Sequence, residues 1–160
     1  MYLRRVAGCI ALGLPLLFAS RVSAQFSGQS ALPSANSIPA SQQIQPFELN
    51  NLLKSNSEKP VIFQVGPRIF YSQSHIPGAK FAGPGNQQAG MQLLEASVKD
   101  LPRSTFIVIY CGCCPWARCP NMGPAFKRLQ DLGFTNVKAL FLPNSFGDDW
   151  VRQGYATSVN

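Results

Sequence analysis

Apolar positions along this chain follow two rhythms. Short, nearly continuous apolar runs occur at Val61-Ile62-Phe63-Gln64-Val65, at Thr105 to Tyr110 and at Val137 to Leu142. The first is bracketed by Pro60 and Gly66-Pro67, and runs of this kind predict strands buried on both faces. Before and between them lie segments with helical spacing: Pro46 to Lys54, Arg68 to Ser74, Gln88 to Val98 and Met122 to Leu132. The first is expected to place Phe47, Leu49, Leu52 and Leu53 on one face, the third Met91, Leu93, Leu94 and Val98. Pro46 suits a first helical position, and Gly133 suits the residue just past a helix end. A turn at 75–79, a brief strand at Lys80-Phe81 and a helical turn over 148–153 complete the pattern. Strands alternating with helices predict an α/β fold, an open, mainly parallel sheet with helices on both faces and its site at the carboxyl ends of the strands.

The chain's 160 residues allow one domain plus a tail. Arg4 and Arg5, the apolar run Val6 to Phe18 and the small residues Val22-Ser23-Ala24 predict a signal peptide over 1–24, cut after Ala24. The run is too short, and broken by Pro15, for a stable membrane anchor. Residues 25–43, rich in Ser, Ala, Pro, Gln and Asn, read as a flexible linker, and the domain as 44–160. The expected location is the periplasm or the outside of the cell.

The full chain carries a net charge of +7, and losing Arg4, Arg5 and Arg21 with the leader leaves 11 basic against 7 acidic side chains. These charges form no block and no aromatic-interleaved stripe, so nucleic acid is not an expected partner. A small anion fits better.

Four of the five cysteines fall between 111 and 119, in Tyr110-Cys111-Gly112-Cys113-Cys114-Pro115-Trp116-Ala117-Arg118-Cys119-Pro120-Asn121. The stretch joins a predicted strand to a predicted helix, a turn that aims backbone N–H groups at whatever it holds. In an exported protein such thiols are either disulfides or groups kept reduced for chemistry.

The chain resembles a rhodanese-like domain from about Ile44 to Thr157. The resemblance rests on the strand ending Gln64-Val65, the turn His75-Ile76-Pro77-Gly78-Ala79, the strand Ile107-Val108-Ile109-Tyr110 ending in Cys111, the run Leu129-x-x-x-Gly133-Phe134-x-x-Val137, and Trp150 with Gly154-Tyr155. It implies a sulfurtransferase in which Cys111, at the family's nucleophile position, takes sulfane sulfur from a donor such as thiosulfate and passes the persulfide sulfur on. Here Gln64 stands where the family usually has Asp, the loop after Cys111 is longer, and four cysteines replace one.

A persulfide mechanism needs a thiolate cradled by donors. Cys111 is the expected nucleophile and persulfide carrier. Cys119, just before Pro120 at a plausible first helical position, is the alternative nucleophile. Cys114 and Cys119 are otherwise resolving thiols, or a disulfide that pins the loop. Gly112, Cys113, Trp116 and Arg118 are the expected substrate-binding residues, Arg118 as the cation for an oxyanion and Trp116 as a wall against water. His75 is expected to be structural. The Cys-x-x-Cys pair Cys111/Cys114 supports a second reading, a thiol–disulfide oxidoreductase with a thiol acceptor or redox partner protein. A third is a non-catalytic module that holds a metal or a partner. Four thiolates suit Zn(II) or Cu(I), but ligands confined to one short loop argue against it, so neither a metal nor another cofactor is expected.

Overall fold

The structure, a computed structural model, describes residues 35–159. The signal peptide and the first part of the expected linker lie outside the described residues. Five parallel strands form one open sheet in the order β1-β5-β4-β2-β3, with β1 Gln43–Ile44, β2 Val61–Gln64, β3 Lys80–Phe81, β4 Ile107–Tyr110 and β5 Val137–Leu140. Helices α1 Pro46–Lys54, α2 Arg68–Gln73, α3 Gln88–Val98 and α4 Met122–Asp131 connect them. No helix among the described residues is long and apolar enough to cross a membrane.

Every residue of β4 is buried, because it is the central strand and both its faces are covered. Period-two alternation sorts its side chains. Ile107, Ile109 and then Cys111 join the core that holds Leu94 and Val98 of α3 and Ala125 and Leu129 of α4. Val108 and Tyr110 join the opposite core, with Leu49 of α1, Ile76, Leu140 and Trp150. Each fully buried Ile or Leu contributes on the order of 1.5–3 kcal/mol, so the two cores together fix which way Cys111 points.

α4 ends as the sequence predicts. Gly133 takes φ +85°, its N–H donates to the Gln130 carbonyl and the Phe134 N–H to that of Leu129, closing a Schellman motif with Phe134 and Leu129 in the same core.

Three expectations are corrected. Residues 35–43, the described part of the expected linker, are not one: Ala35–Ser37 and Ala40–Gln42 form 3₁₀ turns, Ala35 and Ile38 are in the core, and Gln43 pairs with β5 as the start of Gln43–Ile44. Few apolar residues suffice there, since the sheet edge satisfies the backbone. Phe47 and Leu93 are 54% and 39% exposed. Residues two apart on a helix point about 200° away from each other, so α1 faces the sheet with Leu49 and Leu53, not Phe47. α3 buries Gly90, Leu94 and Val98 at spacing four, leaving Leu93 outside. Lastly, α4 begins at Met122 with Asn121 as N-cap, so Pro120 precedes the helix. Its ring holds Cys119 in an extended conformation, φ −77°, ψ 114°.

Candidate functional site

The strand order places the site. From β2 the chain steps outward to β3, then crosses back to β4 on the other side of β2 and continues to β5. The direction of winding therefore reverses between β2 and β4, and a crevice opens at their carboxyl ends. Gln64 and Tyr110 are paired there, with Gly66 and Cys111 just beyond.

The loop after Cys111 folds back on itself. The Trp116 N–H donates to the Leu142 carbonyl, and the amides of Arg118 and Cys119 close the 3₁₀ turn Trp116–Arg118 onto Pro115 and Trp116. This return brings Cys119 to Cys111. The four Sγ atoms all lie within 4.8 Å of one another, with Cys111–Cys113 at 3.2 Å and Cys113–Cys114 at 3.0 Å. All four are free thiols. Cys111 and Cys119 are buried, while Cys113 and Cys114 are half-buried.

Asn121, 3% exposed, donates from Nδ2 to Cys111 Sγ at 3.4 Å and to Cys113 Sγ at 3.7 Å, while its Oδ1 accepts the Asn86 N–H. The N-cap residue thus gives its side chain to the thiols instead of to the first turn of α4, which makes no side-chain cap bond. Gln64, 1% exposed, uses Oε1 to accept the Gly66 N–H, and its Nε2 has no partner. A Cβ on Gly66 would lie 2.9 Å from Cys111 Sγ and 3.0 Å from Gln64 Nε2. Only glycine leaves room there.

The thiols differ in acidity because they share protons. Hydrogen bonds to the other three sulfurs, then burial, push Cys111 well above the ordinary thiol value. The bond from Cys111 pulls Cys113 down to about 5, and the same partner lowers Cys114. Cys119 is lowered by Cys111 and by the amides of Asn121 and Met122, but Cys113 and burial outweigh them and its value rises. Of the two half-buried thiols held below the ordinary value, Cys113 and Cys114, Cys113 owes its largest lowering to Cys111, 3.2 Å away.

A cleft of about 280 Å³ opens on the cluster, lined by Phe70, Gln73, Ser74, Gly112, Cys113, Ser145, Phe146, Gly147 and Val151. Of the residues expected from sequence, Gly112 and Cys113 line it. Trp116 does not: it is 7% exposed and packs edge-on against Phe141, anchoring the loop. Arg118 is exposed and outside the cleft. His75 is structural, stacked on Tyr71, bonded through Nδ1 to the Tyr71 carbonyl and bridged to Ser158. Sequence reasoning missed Asn121 and the Gln64–Gly66 corner, although an Asn at a helix start is a signal in itself.

A thiol cluster beyond the central strand of an open parallel sheet, at its switch point, defines an α/β protein with a crevice site. The chain belongs to the rhodanese-like domain family, whose model matches residues 45–141. Solved structures agree on the fold. The Alr3790 protein from Anabaena sp. aligns at 22% identity over 73% of this chain and 82% of that one, TM-score 0.57. The BH2092 protein from Bacillus halodurans aligns at 24% over 74% and 77%, TM-score 0.57. A protein from Rhodopseudomonas palustris, described as of unknown function and a possible tyrosine phosphatase, aligns at 21% over 78% and 88%, TM-score 0.54. No curated protein matches the sequence.

Proposed function

We propose that this chain is an exported sulfurtransferase that carries sulfane sulfur as a persulfide, with Cys113 rather than Cys111 as the carrier. One observation carries the choice: Cys113 is the thiol that lines the cleft, while Cys111, two residues earlier, is 4% exposed. Membership of the rhodanese-like family supports the reaction class, and the apolar run behind Arg4 and Arg5 supports export.

The Cys113 thiolate attacks the outer sulfur of a donor such as thiosulfate. The donor's S–S bond breaks, sulfite leaves with the electron pair, and Cys113 holds the sulfur as Cys–S–S⁻. An acceptor nucleophile then takes the terminal sulfur and the thiolate returns. Asn121 Nδ2 and the Cys111 thiol are the donors that steady the charge on Cys113. Phe70 and Phe146 wall the cleft and limit water.

The short Cys113–Cys114 separation favours one further reading, thiol–disulfide exchange. There Cys114 attacks Cys113 of the persulfide, the disulfide forms, and sulfide leaves.

Mass spectrometry of reduced, metal-free protein after thiosulfate tests the proposal. A gain of one sulfur, abolished in Cys113→Ser and retained in Cys119→Ser, is expected. No gain in the unsubstituted protein would sink it.

A further inference from the structure

We propose that the same four thiols form a mononuclear Zn(II) site, with Cys111, Cys113, Cys114 and Cys119 as its ligands and Asn121 and Gln64 as the side chains that orient them. Spacing alone argues against such a site, because all four ligands lie in one short loop. Folding removes the objection. The ligands reach the centre from three directions: the end of β4, the loop crest, and the foot of α4 after the Trp116–Arg118 turn.

The dimensions fit. Zn–S bonds of about 2.3 Å in a tetrahedron set the sulfurs ~3.8 Å apart. The observed separations run from 3.0 Å to no more than 4.8 Å, on both sides of that value, so small side-chain rotations bring all four to one ion. Four sulfur donors in a closed arrangement suit tetrahedral zinc and leave no open position.

The surroundings point the same way independently. Metal-bound thiolates accept N–H bonds from a surrounding shell. Asn121 Nδ2 reaches two of the sulfurs. Gln64 Nε2 is a buried donor without a partner at the corner where Cys111 Sγ sits. A buried amide left unpaired is costly, and a small rotation toward Cys111 as a zinc thiolate would give it an acceptor. On binding, the thiols still protonated release their protons to the buffer and no electron moves.

This site is separate in its evidence from the sulfur-transfer reading, though the two occupations exclude each other. The test is titration of the reduced full chain with Co(II) and then Zn(II). One Co(II) is expected to bind with sulfur-to-metal charge-transfer bands and tetrahedral d–d bands, both lost when one Zn(II) displaces it. Cys111→Ser and Cys119→Ser are each expected to weaken Zn(II) binding by at least about 100-fold. Asn121→Ala, which keeps all four ligands and so guards against misfolding of a ligand variant, should weaken it roughly 10- to 100-fold with the d–d pattern unchanged. No stoichiometric uptake, uptake unaffected by Cys119→Ser, or uptake of Cu(I) by a chain that refuses Zn(II), each overturns the proposal. None of these results depends on whether sulfur is transferred.

Discussion

Asn121 Nδ2 donates to Cys111 Sγ at 3.4 Å, joining the N-cap of α4 to the end of β4 across the loop that separates them. The same carboxamide is held from its other end by the Asn86 amide, so its direction is fixed. Asn121→Asp keeps the shape but turns a donor into an acceptor facing sulfur. The acid fall in the alkylation rate of Cys113, followed by mass spectrometry against pH, is expected to move up by about one to two pH units, since losing one charge-assisted bond is worth ~1.5–3 kcal/mol.

The pH dependence of that alkylation follows from a thiol held near 5. The thiolate is present above this value and lost below it. In metal-free protein the rate at Cys113 should stay nearly flat from pH 6 to 8, falling only in more acid solution. A free thiol of pKa about 8.5 would instead gain roughly tenfold per pH unit. A Cys113 profile rising through pH 8 would contradict the proton sharing with Cys111.

Gly66→Ala drives a methyl group against Cys111 Sγ and Gln64. The corner is buried and backed by the paired ends of β2 and β4, so relief is limited. A loss of about 1–3 kcal/mol in denaturant unfolding is expected, with Cys113 reactivity altered in the variant that remains folded.

A chain beginning at Ile44, as the linker reading would suggest, omits Ala35 and Ile38 from the core beside α4 and the Trp116–Arg118 turn. Ile38→Ala in the full chain should cost about 2–5 kcal/mol by chemical denaturation. A loss below about 0.5 kcal/mol would restore the linker reading.

Zinc and sulfane sulfur compete for the same thiols. Zinc-loaded protein should gain no sulfur from thiosulfate, and removing zinc with a chelator should restore the gain. If the metal-free chain also gains none while zinc binds, sulfur transfer fails and the metal site stands.

The sequence by itself determined the sheet except for its edge strand β1. Runs such as Ile107 to Tyr110 are apolar on both faces, which only a central parallel strand satisfies, and Gly133 marks a helix end because other residues resist its backbone angle. It also located the thiols at the carboxyl end of that strand. The tertiary structure decided what the thiols face. Alternation along β4 aims Cys111 toward α4, the 3₁₀ turn returns Cys119 to it, and the same turn leaves Arg118 outside the cleft. Residue order records neither side-chain direction nor the approach of Asn121, Gln64 and Gly66 from distant parts of the chain. Proton sharing, ligand geometry and access to the cleft depend on those distances, so they emerge only once the chain is folded.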